Sequence, residues 1–160
     1  MTPPGIRIGQ GFDVHPFGTD GERPLVLGGV VVPGVPGLVG HSDADVLAHA
    51  LSDALLGAAG LGDIGTHFPD TDPAFSGADS MRILADVVER VRRAGFRPLN
   101  ADTTVIAERP KLSPYTGSMV AALSEVLGAP VGVKAKRGEG LGSIGRAEGV
   151  ACLAVVLVAG

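Results

Sequence analysis

The chain has 160 residues, a formal net charge of −4, 45% hydrophobic and 19% charged residues, 25 glycines and one cysteine. That length suits a single domain over residues 1–160 with a core of its own. The negative balance argues against a general nucleic-acid binder, and the lone Cys152 excludes an internal disulfide framework or a multi-cysteine zinc site.

No stretch approaches the ~20 apolar residues of a membrane span. The opening Met1-Thr2-Pro3-Pro4-Gly5 has no apolar signal core. The expectation is a cytoplasmic protein with neither a nucleic-acid nor a membrane partner. Residues 1–80 carry ten acids and two bases, residues 81–160 seven acids and eleven bases. That asymmetry suits cations in the front half and anions in the back half, and equally suits two ordinary surfaces.

In chain order, Arg7 to Gly9 and Leu25 to Val32 read as strands, the second rich in β-branched residues and ended by Pro33. Gly34 to Gly37 is a turn-rich connector. Asp43 to Ala59 reads as a helix, because Val46, Leu47, Ala50, Leu51, Ala54 and Leu55 follow a helical period and Ser42 or Asp43 can cap it. Gly62 to Gly77 reads as a long ordered loop, a kind usually functional. Ala78 to Ala94 is a second helix, capped by Asp79 or Ser80, with Arg90, Arg92 and Arg93 in its last turn and Gly95 as its stop. Ala101 to Ala107 is a strand and Ser113 to Leu127 a third helix, with Pro114 early and Gly128 after it. Val131 to Lys136 and Val150 to Val158 are strands. Helices and strands mix without strict βαβ alternation, so the class is α+β, a mixed sheet with helices on one face.

Three of the four histidines fall in Gly11-Phe12-Asp13-Val14-His15 and His41-Ser42-Asp43-Ala44-Asp45-Val46-Leu47-Ala48-His49. On extended backbone, Asp13 and His15 point the same way. On a helix, Asp45, His49 and Asp53 share one face. Asp13, His15 and His49 supply the donors of a zinc site with an open fourth position, and carboxylates a turn away from His49 suit orientation of its ring. Read alone, the Asp45-His49-Asp53 stripe also fits a solvated helix face. His41 and Ser42 fall at the start of the helix, where free N–H groups hold phosphate or carboxylate or where Ser42 simply caps. Later, Lys136-Arg137-Gly138-Glu139-Gly140 joins phosphate-binding bases to a carboxylate suited to Mg²⁺, or forms a solvated polar turn.

These runs are joined by Leu61-Gly62-Asp63-Ile64-Gly65, Phe68-Pro69-Asp70-Thr71-Asp72, Pro110-Lys111-Leu112 and Gly145-Arg146-Ala147-Glu148-Gly149. Together they resemble the 2-C-methyl-D-erythritol 2,4-cyclodiphosphate synthase family, in the family's order from about Arg7 to Val158. The resemblance implies a ferredoxin-like βαβ core and a homotrimer with sites between subunits. The implied substrate is a cytidylyl diphosphate, 4-diphosphocytidyl-2-C-methyl-D-erythritol 2-phosphate. Its 2-phosphate attacks the β-phosphorus, a cyclic diphosphate forms and CMP leaves, in non-mevalonate isoprenoid precursor biosynthesis. The implied cofactors are Zn²⁺ or another divalent transition metal on Asp13, His15 and His49, and Mg²⁺ or Mn²⁺ on Glu139.

The resemblance also implies roles for other residues. His41 and Arg137 act on the transition state. Asp13, Val14, His15, His41 and Ser42 contact substrate near the metal. Asp63, Ile64 and Gly65 surround the methylerythritol hydroxyls, and Phe68, Pro69, Asp70, Thr71 and Asp72 continue that wall. Ala107, Glu108, Arg109, Pro110, Lys111 and Leu112 form the cytidine pocket, Ser113 also contacts substrate, and Lys136, Arg137, Gly138 and Glu139 form the diphosphate end. Ser143 and Arg146 complete the set. Lys136-Arg137-Gly138 departs from a threonine-rich run, so Arg137 stands where a threonine assists the transition state. Gln10, Ser143 and Leu153 depart around the trimer axis, where relatives hold isoprenoid diphosphates in a central cavity; Arg146 remains to meet such a phosphate. A zinc-dependent phosphohydrolase and an inactive trimeric binding protein are the competing readings.

Overall fold

Strand β1 runs over Ile6–Pro16, eleven residues where local pattern marked only three. The computed structural model describes residues 5–160, and in it β1 pairs antiparallel along its whole length with β6 (Gly149–Ala159), from Ile6↔Ala159 to Pro16↔Gly149. Cross-strand pairing here overrides the weak strand preference of Gly9, Gly11 and Asp13. Strand β6 also pairs antiparallel with β4 (Arg97–Ile106), and β4 pairs parallel with β5 (Val131–Lys136), in the order β1-β6-β4-β5. The parallel pair is bridged by a crossover helix, α4 (Thr116–Leu127), as parallel strands require. Ser113 to Tyr115 form the turn that leads into it.

The expected strand over Leu25 to Val32 is a hairpin of two short strands, β2 (Leu25–Leu27) and β3 (Val30–Val32). Its two turn residues, Gly28 and Gly29, have φ of 58° and 74°, the paired positive values of a tight hairpin turn that glycine adopts without cost.

Helices α1 (Val46–Ala59), α3 (Ser80–Arg93) and α4 cover one face of the sheet. Leu47, Leu51, Leu55, Leu84, Met119 and Leu123 are fully buried between them and Val150, Val156 and Val158. Eleven of the fourteen α1 residues are buried, which identifies it as the central helix, apolar almost all round. Gly9 and Gly11 set its distance from β1: a Cβ on either would run into the carbonyl oxygen of Ala54 or Ala50. Within the expected long loop lie a four-residue helix, α2 (Ile64–His67), and a 3-10 turn at Pro73–Phe75. A second short helix, α5 (Gly142–Gly145), precedes β6.

Among the described residues, α1, α3 and α4 leave the other face of the sheet uncovered. Ile6, Ile8, Phe12 and Val14 on β1 and Leu153 and Val155 on β6 are exposed there, with Phe12 opposite Leu153 and Gln10 opposite Val155. Among the described residues no helix is long and apolar enough to cross a membrane.

Candidate metal centre

Alternation along β1 turns Asp13 and His15 toward α1 and sends Phe12 and Val14 to the exposed face. Only the backbone of Val14 is therefore available to the centre. The close packing at Gly11 brings His49 of α1 onto the same spot. Asp13 Oδ2 lies 3.1 Å from His49 Nδ1 and 3.2 Å from His15 Nε2. One donor atom from each of the three residues lies within 4.8 Å of the others. Oxygen and nitrogen donors about 2.0–2.2 Å from a tetrahedral ion sit about 3.3 Å apart. The three residues thus fit a divalent metal ion, with one position open.

The outward nitrogens are fixed from behind. His15 Nδ1 is 2.7 Å from the Val39 carbonyl, which can only accept, so Nδ1 carries the hydrogen and Nε2 is left toward Asp13. His49 Nε2 lies 2.8 Å from Ser80 Oγ and 3.1 Å from Ser42 Oγ. Burial pushes the Asp13 carboxyl up, but the hydrogen bonds from His15 and His49 prevail and hold it at about 2. The Asp13 hydrogen bond raises the His15 imidazole above its ordinary 6.5. The carboxylate is thus held in its ionised form.

The start of α1 departs from expectation. Its N-cap is Asp45, whose side chain accepts from Leu47 N and Ala48 N and from Gly28 N and Gly29 N, each at 2.8 Å. Asp45 is fully buried; burial pushes its carboxyl up, against the lowering effect of those amides. Asp45 thus ties the helix to the hairpin turn, whose two amides need acceptors, and it does not orient His49. Its carboxylate also occupies the helix N-terminus, so no anion cradle forms there. His41 and Ser42 lie in the irregular segment before the helix. Asp53, one turn beyond His49, accepts from Ile64 N at 2.8 Å and anchors α2; burial raises its carboxyl.

A cavity of about 450 Å³ opens over the triad, with Asp13, His15, His41, Ser42 and His49 on one side and Ile64, Gly65, Phe68, Pro69 and Asp70 on the other. His41 Nε2 donates to the Asp72 carbonyl at 3.0 Å. Asp63 and Asp72 stand outside this lining. Asp63 caps α2 through Thr66, whose hydroxyl and amide hold its carboxyl below the usual range. Asp72 caps the 3-10 turn, and Thr71 is exposed. Phe68 packs edge-on against Phe75 at 5.3 Å and beneath the Arg90 guanidinium at 5.0 Å.

A second cavity, of about 530 Å³, is lined by Ala107, Glu108, Pro110, Lys111, Leu112 and Ser113 together with Lys136 and Arg137. It shares no residue with the first. Glu108 organises it, accepting from Arg137 at 3.1 Å and from Gly138 N at 2.9 Å. Glu139 is exposed, with φ 54°. Arg109 lies with Phe17 and Ala147 in a separate depression. Ser143 is exposed on α5, and Arg146 pairs with Glu148 at 2.7 Å. Most of the expected site residues therefore fall into two groups within one chain, with Arg109, Glu139, Ser143 and Arg146 outside both cavities.

Three contributors escaped the sequence reading: Ser80, Asp43 and Arg90. A serine at a helix start reads as a cap, and an arginine in a last turn reads as a dipole partner. Only the alternate glycines of Gly9-Gln10-Gly11 carried a readable signal of close helix approach.

The YgbB family model matches residues 6–159. A curated relative from Bordetella petrii, 2-C-methyl-D-erythritol 2,4-cyclodiphosphate synthase, is 57% identical over 157 residues, covering 96% of either chain. A solved structure of a 2C-methyl-D-erythritol-2,4-cyclodiphosphate synthase in a CDP-bound form is 41% identical, with a TM-score of 0.85 over 95% of this chain and 99% of its own. The bifunctional IspDF of Campylobacter jejuni is 46% identical with a TM-score of 0.92; the match covers 98% of this chain and 42% of that longer one. A match from residue 6 to residue 159, together with these identities, shows that the chain belongs to the YgbB family, the cyclodiphosphate synthase family its motifs resemble.

Proposed function

We propose that the chain converts 4-diphosphocytidyl-2-C-methyl-D-erythritol 2-phosphate to 2-C-methyl-D-erythritol 2,4-cyclodiphosphate and CMP, in non-mevalonate isoprenoid precursor biosynthesis. The observation that carries this is the Asp13-His15-His49 donor set at the floor of a cavity walled by Ile64 to Asp70. The identity with relatives of that activity supports it. An oxygen of the 2-phosphate bonds to the β-phosphorus; the bond from that phosphorus to the bridging oxygen breaks, and CMP leaves with the oxygen. This is a cyclising phosphorus–oxygen lyase reaction. Attacker and leaving group share one molecule, so no protein nucleophile is needed, and the chain's task is to fold the substrate in line and offset its charge.

Zn²⁺ or another divalent transition ion on the triad would supply Lewis acidity toward a phosphoryl oxygen, and Mg²⁺ or Mn²⁺ on Glu139 would offset diphosphate charge. His41 and Arg137 stabilise the transition state; a guanidinium offers paired donors to phosphate oxygens where a hydroxyl offers one. Ser42 meets phosphate beside the centre, and Lys136 and Gly138 hold the diphosphate end. Asp63, Ile64 and Gly65 position the methylerythritol, with Phe68 to Asp72 closing over it. Ala107 to Ser113 take the cytosine, through backbone groups that Pro110 holds in a fixed path. The CDP-bound relative supports a cytidine nucleotide there.

The chain is one synthase domain with a ferredoxin-like core around the β4-α4-β5 unit, and it works as a homotrimer. The exposed apolar face of Ile6, Ile8, Phe12, Val14, Leu153 and Val155 supports this, since monomers rarely leave such a patch uncovered. In the trimer a neighbour's 107–113 cavity completes the triad's cavity, which accounts for two half-sites in one chain. Arg146 is the residue available to an isoprenoid diphosphate in a central cavity. The buried single thiol suits the cytoplasm.

Incubation with the cytidylyl substrate, Zn²⁺ and Mg²⁺, followed by phosphorus NMR, tests the proposal. Cyclic diphosphate with equimolar CMP is the expected result. A hydrolysed monophosphate points instead to a phosphohydrolase, and CDP binding without turnover to a binding protein.

A further inference from the structure

Behind His49 lies a chain of buried polar groups to which the proposed reaction gives no role. Ser80, the first residue of α3, is fully buried. Its hydroxyl lies 2.8 Å from His49 Nε2 and 3.2 Å from Ser42 Oγ, and it is hydrogen-bonded to Asp43 Oδ1. A hydroxyl has one hydrogen and two acceptor sites. The Asp43 carboxylate has no hydrogen to give, so Ser80 donates to Asp43. Ser80 is then left to accept: from His49 Nε2–H, and from the Ser42 hydroxyl, which lies within reach of both Ser80 Oγ and His49 Nε2. Asp43 is held in turn by Asp45 N and Ser80 N, each at 3.3 Å. Ser42 accepts from Ala44 N at 3.2 Å. No buried side-chain oxygen or nitrogen among the described residues lacks a partner. The 2.8 Å contact between Ser80 Oγ and His49 Nε2 is the shortest that nitrogen makes, and with the Ser80 hydrogen on Asp43 it favours the hydrogen on Nε2. That leaves Nδ1, the nitrogen facing Asp13, as the one a cation can take.

We propose that Ser80 and Asp43 are positioning residues of the metal centre. They set the His49 tautomer and hold its ring so that Nδ1 presents its lone pair to a divalent cation beside Asp13 and His15. This rests on the metal-centre reading above. An imidazole free to choose its tautomer spends part of its time with hydrogen on Nδ1, where it cannot ligate. Ser80 is 31 positions from His49 on another helix, so the α1–α3 packing is built into the centre.

The test is Zn²⁺ affinity, measured by competition with a chromophoric chelator, for the parent, His49→Ala, Ser80→Ala and Asp43→Ala. Loss of an outer partner of a ligating histidine typically weakens metal binding about 10–100-fold. Ser80→Ala and Asp43→Ala are each expected to weaken Zn²⁺ by at least about tenfold. Ser80→Thr, which keeps the hydroxyl, is expected to recover most of that loss. Ser80→Ala changes no charge, so a purely electrostatic role for Asp43 leaves it unaffected and overturns the proposal. If His49→Ala loses Zn²⁺ while both other alanine variants bind as the parent does, the positioning role is overturned and the metal centre stands. If His49→Ala itself binds as the parent does, the centre and the proposal fall together. Should Ser80→Ala not fold, Asp43→Ala with nitrogen-15 NMR of the zinc-loaded imidazoles decides: a slowly exchanging His49 Nε2–H in the parent, and not in the variant, is the result expected, and equal exchange in both overturns it.

Discussion

His49 Nδ1 sits 3.1 Å from Asp13 Oδ2 although 36 positions separate the two residues. The contact exists because α1 lies unusually close to β1, and it lies close because Gly9 and Gly11 present no side chain to it.

Gly11→Ala is therefore expected to damage the centre without touching a ligand. Its methyl falls on the Ala50 carbonyl, which is helix backbone and cannot swing aside. Overpacking of this kind costs about 1–3 kcal/mol, and the displaced helix should take Zn²⁺ binding down with it. Gly57→Ala, with open space around its Cβ, is the control; it should stabilise the helix by about 0.5–1 kcal/mol. Thermal melts and chelator competition on both variants check this.

The stability of the metal-free protein should depend on pH through Asp13 and His15. Asp13 is depressed from 3.8 to about 2, so its contribution is present above 3.8 and is lost as pH falls toward 2. His15 is raised above 6.5 by its hydrogen bond to Asp13, so its contribution is full below 6.5 and is lost as pH rises through the raised value. In EDTA, the melting-temperature advantage of the parent over His15→Gln should be larger at about pH 5.5 than at about pH 8.5. An advantage that grows toward alkaline pH contradicts this. Zn²⁺ competes with the same proton, so its affinity should rise over that span.

Arg90 should act on substrate binding from outside the cavity. Its guanidinium reaches His67 Nδ1 at 3.0 Å, stacks over Phe68 and is held by Asp86 at 3.1 Å. His67 in turn donates to the Leu61 carbonyl at 2.8 Å. Arg90→Ala should raise KM about tenfold, roughly 1.4 kcal/mol, with a smaller change in kcat. Arg90→Lys should recover little, because an ammonium cannot form the planar stack and fork together. Steady-state kinetics on both variants separate this from general destabilisation.

Assembly and catalysis should fail together. Phe12→Lys places a charge on the exposed apolar face and is expected to yield monomers in light scattering, with turnover lost although the triad is intact. Arg137→Ala should slow turnover about 10–100-fold while CMP binding changes less. Mixing Arg137→Ala with His49→Ala subunits should then restore partial activity, because some sites in a mixed trimer draw both intact residues from different chains. Complete silence of the mixture would falsify a site shared between subunits.

Much of the centre was legible because its rules are local. Two residues apart on extended backbone means one face, which joined Asp13 to His15. A 3.6-residue period marked α1, placed His49 on it and predicted α3 and α4 nearly to their ends. What escaped depended on partners distant in the chain. Asp45 looked like an outer partner of His49 but serves the Gly28 and Gly29 amides, which arrive from a hairpin hidden inside an apparent single strand. β1 looked three residues long because glycine and aspartate are poor strand formers, and only pairing with β6 extends it.

The sequence by itself determined which donor and charged groups this protein has to offer a candidate site, since donor chemistry, periodicity and motif order are written along the chain. Only the tertiary structure decided how those groups are aimed. The α1–β1 distance set by two glycines, the hydrogen-bond direction through Ser80 and the division of the site into two separate cavities all arise from satisfying buried groups across elements, a condition no local pattern encodes.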